Sequence, residues 1–135
     1  MRPPCRFAAA VACAAALLAG CNRPVVSPKK AYRTVTLAQI RLAASAVELF
    51  RASVGRYPTT AEGLDVLVRP PASREDARVW AGPYLGGGKL PEDAWNRPLR
   101  YERLASGADK FRIWSAGADG EDGTKDDVTF SSGRQ

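Results

Sequence analysis

The residues most able to do chemistry lie near the C-terminus, in Gly117-Ala118-Asp119-Gly120-Glu121-Asp122-Gly123-Thr124-Lys125-Asp126-Asp127. Five carboxylates fall within nine positions and Lys125 is the only base among them, a local charge of −4. Crowded carboxylates raise one another's pKa, and a hard cation removes that cost. Calcium takes about six to eight oxygens in flexible geometry, from carboxylates and backbone carbonyls. Gly120 and Gly123 allow the chain to curl so that carbonyls turn inward. Asp119 on one side and Asp126-Asp127 on the other would then close the ring. The pattern is not an EF-hand: counted from Asp119, position 5 is Gly123 and position 12 is Phe130, where that loop needs a glutamate. A solvated acidic turn is a second reading of the same residues. Acid–base catalysis by Glu121, Asp122 and Asp127 is a third. Carboxylates saturated by a cation shuttle protons poorly and no cleft is evident, so an enzyme is not expected.

Composition narrows the field further. The 135 residues include no His, which removes His-based triads, general bases and metal ligands. The three Cys are Cys5, Cys13 and Cys21, and nothing after residue 21 carries a thiol. Disulfide scaffolds, Cys-ligated zinc and thiol catalysis are therefore excluded from the rest of the chain. Cys5 and Cys13 read as small apolar residues of a leader.

Residues 1–20 have the pattern of a signal peptide. Arg2 and Arg6 precede Phe7 to Gly20, a run of 14 residues drawn from Phe, Ala, Val, Cys, Leu and Gly. That is shorter than the ~20 residues a bilayer span requires, but it suits a secretory core region. Leu18-Ala19-Gly20-Cys21 resembles a bacterial lipobox. The resemblance implies cleavage before Cys21, acylation of its thiol and a lipid anchor in the cell envelope, facing the periplasm. Each buried methylene of an acyl chain contributes about 0.8 kcal/mol to membrane association. Asn22 leaves the choice of membrane open, with the outer favoured over the inner. Loss of Arg2 and Arg6 leaves 18 basic against 14 acidic residues, a charge of +4. That is too modest for a nucleic-acid partner, and export makes one still less expected.

Elements must then position the acidic loop. Residues 21–33, with Pro24, Pro28, Lys29 and Lys30, lack any apolar period and read as a tether. From Thr34 to Val54, residues Leu37, Ile40, Ala44, Val47, Phe50 and Val54 recur at spacings of three and four, predicting an amphipathic helix. Thr34 or Thr36 is the candidate cap, and Gly55 the stop. Thr59-x-x-Glu62 fits a capping box for a shorter helix carrying Leu64, Leu67 and Val68, ended by Pro70-Pro71. Ala72 to Val79 reads as an exposed loop or short turn. Gly86-Gly87-Gly88-Lys89 is not a phosphate loop, because Leu90 stands where a Ser or Thr is needed; a flexible turn is expected. Trp80, Tyr84 and Trp95 are expected at the core edge with their polar groups near solvent. Leu99 and Tyr101, then Phe111 and Ile113, alternate with charged residues and predict two strands joined by a turn at Ser106-Gly107-Ala108-Asp109. Val128-Thr129-Phe130 adds a third. A long helix packed on about three antiparallel strands makes residues 34–135 an α+β domain.

Four motifs in order resemble the major pseudopilin of the bacterial type II secretion system. They are Gly55-Arg56-Tyr57-Pro58-Thr59-Thr60 with Glu62-Gly63-Leu64; Trp80-x-Gly82-Pro83-Tyr84-Leu85; Leu90-Pro91-x-Asp93-x-Trp95 with Pro98 and Tyr101; and Ser115-x-Gly117-Ala118-Asp119-Gly120 with Asp126-Asp127. The resemblance implies a periplasmic α+β domain whose C-terminal loop binds calcium. The side chains of Asp119, Asp126 and Asp127 would be ligands, with the Ala116 carbonyl and one near Gly123 as weaker assignments. Glu121 and Asp122 would be solvated. Ala94 and Leu99 depart from the family's usual Pro and aromatic residue, a difference expected to alter only a loop. Pseudopilins begin with a prepilin peptidase site and a long apolar helix, where this sequence has a lipobox and a tether. The expectation is a lipid-anchored, non-enzymatic secretion component whose partners are the membrane, through Cys21, and other pseudopilins or secretion-system subunits. A stand-alone envelope lipoprotein that reuses the fold to bind a ligand or surface is the alternative.

Overall fold

A computed structural model describes residues 27–105 and 110–133. The leader, Cys21, the start of the tether and the turn at 106–109 lie outside the described residues. The architecture is one long helix, α1 (Pro28–Val54), laid across a three-stranded antiparallel sheet. The strands are β1 (Arg100–Arg103), β2 (Phe111–Ser115) and β3 (Val128–Ser131), in that spatial order. Tyr101 pairs with Ile113, and Ile113 with Phe130, so the three inward-facing positions line up across the sheet.

The predicted stripe faces the sheet. Ile40, Ala44, Val47 and Phe50 are buried, together with Ala43 and Ala46, and Leu37 and Val54 pack at its margins. From the sheet, Tyr101, Phe111, Ile113 and Val128 close on them, and Leu64, Val66, Leu67, Leu85 and Leu99 fill the remaining side. Gly55 ends α1 in the left-handed region at φ 86°, with its N–H donating to the Arg51 carbonyl.

α1 starts earlier than its apolar period announces, at Pro28 rather than Thr34. Proline suits a first helical turn, where its missing N–H would have had no partner. Tyr32 meets Trp95 edge-on at 5.7 Å, and Arg33 Nη1 donates to the Asp127 carbonyl at 3.3 Å. Neither threonine caps the helix. Thr34 donates back to the Lys30 carbonyl, Thr36 is fully buried, and the N-cap is Ser27 without a side-chain bond.

The segment after α1 differs from expectation in two places. The capping box at Thr59 forms: the Thr59 N–H donates to Glu62 Oε2 at 2.8 Å, and the Glu62 N–H to Thr59 Oγ1 at 3.2 Å. Beyond the box the chain makes a turn and a single 3-10 turn at Asp65–Leu67, too short for an α-helix. The second α-helix, α2 (Arg74–Val79), falls where a loop was expected, and Ser73 Oγ caps it by accepting from Asp76 N–H. Arg56 bridges the two segments, reaching both Glu62 oxygens at 2.7 Å and Asp76 Oδ2 at 2.7 Å. Gly86–Gly88 forms a 3-10 turn. Trp80 turns its N–H inward to the Val66 carbonyl at 2.8 Å, and the Tyr84 hydroxyl pairs with Ser53 and accepts from Ala81 N–H. Both polar groups are thus satisfied by protein and not by solvent.

Candidate metal centre

The acidic loop connects β2 to β3, so the sheet fixes both of its ends. At its start, Ser115 and Ala116 are buried. The Ala116 carbonyl accepts from Gly120 N–H at 3.2 Å, curling the chain. Gly117, Gly120 and Gly123 all adopt left-handed φ values, +65°, +75° and +82°. Gly117 has a second reason to lack a side chain: a Cβ there would overlap the backbone carbonyl of Asp126. The two ends of the loop are therefore in backbone contact.

The individual acids fare differently. Asp119 is exposed, and its Oδ1 accepts from Glu121 N–H at 3.0 Å. That bond, with the Thr124 hydroxyl, draws its carboxyl below the usual aspartate range. Asp126 is exposed beside a small cavity of about 120 Å3 that it shares with Lys29, Arg33, Trp95, Ala118 and Lys125. Asp127 accepts from Gly123 N–H through Oδ2 at 2.8 Å, while its Oδ1 is buried with no hydrogen-bond partner among the described residues. Asp122 is exposed as expected, and it is also tied to the sheet: Trp114 Nε1 donates to its Oδ1 at 2.8 Å and Arg100 pairs with its Oδ2. Glu121 is exposed as expected.

The fold thus joins the loop's two ends but leaves the carboxylates of Asp119, Asp126 and Asp127 apart. Among the described residues, no three acidic or thiol side chains converge on a metal position. The donors present suit a hard cation all the same. All are oxygens, and a buried carboxylate oxygen left unpaired, as Asp127 Oδ1 is, costs free energy that a cation would relieve.

Sequence reasoning missed the residues behind the loop. Asp93, 5% exposed, accepts from both Trp95 N–H and Arg97 N–H through Oδ1, each at 2.9 Å, and takes the Ser115 hydroxyl through Oδ2 at 2.6 Å. Arg97 donates to the carbonyls of Gly117 and Ala118 at 2.7 and 3.2 Å. The available signal was an Asp two residues before an exposed turn, the spacing of an Asx-turn. Asn96 fits that turn, at φ +58°.

A family model for the type II secretion system (T2SS) protein G matches residues 25–131. The type II secretion system core protein G of Aeromonas hydrophila is 36% identical over 102 residues, covering 74% of this chain and 68% of that protein. Its counterpart in Pseudomonas aeruginosa is 36% identical over 101 residues, covering 73% and 68%. The crystal structure of the major pseudopilin from the type 2 secretion system of enterohaemorrhagic Escherichia coli superposes with a TM-score of 0.64 at 28% identity, covering 75% of this chain and 83% of that one. These relatives are structural core proteins and not enzymes, and this chain is likewise non-enzymatic. The long helix, the three-stranded sheet and the ordered motifs agree with one assignment: this chain belongs to the type II secretion system protein G family.

Proposed function

We propose that this chain is a lipid-anchored, calcium-binding structural component of type II protein secretion. It faces the periplasm and works by docking onto other pseudopilins or secretion-system subunits. The observation that carries the reading is the family match across residues 25–131, which spans both the helix–sheet body and the acidic loop. Asp119, Asp126 and Asp127 supply the carboxylates for calcium, with the Ala116 carbonyl and one near Gly123 as further oxygens. Calcium, when bound, neutralises the crowded acids and gives Asp127 Oδ1 the partner it lacks. The chain's own contribution is to hold the two loop ends together through Gly117 and Asp126. Binding only the folded state stabilises it by mass action, so the ion's role is structural.

Anchoring is assigned to the acylated thiol of Cys21 on the resemblance of Leu18-Ala19-Gly20-Cys21 to a lipobox. The outer membrane is the favoured site. The test uses the full chain, tagged and expressed in secreting cells. Co-purification with pseudopilins is expected, together with incorporation of labelled palmitate that Cys21→Ser abolishes. Unlabelled wild type would contradict the anchor, and absence of pseudopilins from the purified material would contradict the assembly role.

A further inference from the structure

We propose that Arg97, locked in place by Asp93 and Ser115, is a positioning residue that shapes the near rim of the acidic loop without metal, leaving the far rim to respond to the ion. This rests on the calcium reading above and deepens it. The guanidinium lies across the loop's start. Its Nη1 takes the Gly117 carbonyl at 2.7 Å and its Nη2 the Ala118 carbonyl at 3.2 Å. A planar fork of donors can hold two successive carbonyls in a way a single ammonium cannot. Gly120 lies against the same group: a Cβ there would come within 2.8 Å of Arg97 Nη1.

One buried carboxylate sets both halves of this clamp. Asp93 Oδ1 accepts from the Arg97 backbone N–H, and its Oδ2 accepts the Ser115 hydroxyl. Ser115 Oγ in turn accepts from Gly117 N–H at 3.1 Å. Asp93 thereby fixes the root of the arginine and, through Ser115, the N–H of the residue whose carbonyl the arginine holds. Neither Asp93 nor Ser115 is more than 5% exposed, so water competes little for these bonds. Ala94 N–H, next in the turn, donates to buried Thr36 Oγ1 at 3.1 Å, which ties the clamp to α1.

The far rim has weaker support: Arg33 Nη1 reaches the Asp127 carbonyl through a single exposed bond at 3.3 Å. Its internal bonds are Gly123 N–H to Asp127 Oδ2, Asp126 N–H to Thr124 Oγ1 at 3.3 Å and Asp127 N–H to the Thr124 carbonyl at 3.4 Å; the last two are long. The clamp also selects among carbonyls. Gly117 and Ala118 are turned to the guanidinium, which is compatible with the Ala116 carbonyl, the oxygen the family resemblance implies, serving the ion while it also accepts from Gly120 N–H.

The test is NMR-detected amide exchange on the full chain, in chelator and then in calcium, alongside calorimetric calcium titration. In wild type the amides of Gly117 and Gly120 are protected in chelator, and those of Asp126 and Asp127, whose bonds are long, gain protection only with calcium. Arg97→Gln loses near-rim protection in chelator and binds calcium roughly 10–100-fold more weakly, the range for residues that orient metal ligands. Arg97→Lys restores only part of both. Protection of Ile113 in β2 reports that each variant is folded. Should Arg97→Gln fail to fold, Ser115→Ala, which deletes the acceptor of Gly117 N–H, must lose protection at Gly117. Wild-type near-rim amides that exchange freely in chelator would overturn the clamp, as would full affinity and protection in Arg97→Gln. If wild type binds no calcium but Arg97→Gln still frees the near rim, the clamp stands and the calcium reading fails.

Discussion

The helix–sheet body and the acidic loop are held together by opposite means. In the body, Ile40, Val47, Phe50, Phe111 and Ile113 have at most 1% of their surface exposed, and burial of apolar area does the work without direction or partner. In the loop nothing large and apolar is buried. Its shape comes from left-handed glycines, backbone carbonyls taken up by Arg97 and an aspartate oxygen left without a partner. Apolar burial calls for no ion, whereas the loop gathers five carboxylates within nine positions, which is where the proposed ion would act.

The sharpest way to break this contrast is to damage the body and ask whether calcium notices. Phe50→Ala leaves a cavity where a fully buried ring met Tyr84 at 6.0 Å. It is expected to cost about 3–5 kcal/mol, equally in calcium and in chelator, by denaturant melts. A loss that calcium largely repairs would mean the two regions are not separable. Next in size is removal of the ion. Calcium at ~100 times its Kd adds about 2.7 kcal/mol of stability, so chelation lowers Tm, and Asp127→Ala melts at the same temperature with or without calcium.

A third prediction uses pH. The Arg56 guanidinium, paired with Glu62 and aided by the Thr59 backbone N–H, holds the Glu62 carboxyl down to about 2, against 4.5 unperturbed. A carboxyl with a depressed folded-state pKa stabilises fully above its unfolded value and loses that contribution as pH falls through the folded one. Wild type thus loses Tm between about pH 4.5 and 2, by a few degrees for each kcal/mol lost. Glu62→Gln starts lower and falls less over that window. Equal slopes for the two proteins would assign the acid loss to other groups. The smallest effect belongs to Arg100→Ala, which breaks a half-exposed pair with Asp122 and costs about 0–1 kcal/mol. It is measured as a small Tm shift that disappears in high salt.

The two regions also differ in how far the sequence announces them. The stripe of α1 and the alternation in β1 and β2 are periodic, because a buried face must repeat with the geometry of its element. Hence Ile40, Val47, Phe50, Tyr101 and Ile113 could be placed directly. The first turns of α1 escape because Lys29, Lys30 and Arg33 have no apolar period; the contacts made there, Tyr32 with Trp95 and Arg33 with Asp127, lie far along the chain. Helix α2 buries no residue, so it leaves no hydrophobic trace, only the Ser73 cap. In the loop, residue types reveal the acids but not their geometry. Asp122 reads as one more exposed carboxylate, yet Trp114 and Arg100 draw it to the sheet. Asp93 announces its own turn locally, but its bond to Ser115 and the hold of Arg97 on Gly117 and Ala118 are long-range and leave no local pattern. At Ala94 the N–H that a proline would lack donates to Thr36 in α1.

The central claim is that one divalent ion closes the acidic loop across its two ends. The most direct measurement is a crystal structure grown in millimolar calcium, with the ion identified by its anomalous signal. The account predicts density bound by the carboxylates of Asp119, Asp126 and Asp127 and by the Ala116 carbonyl, at about 2.3–2.6 Å. Those three side chains spread around solvent alone, under the same conditions, would contradict it.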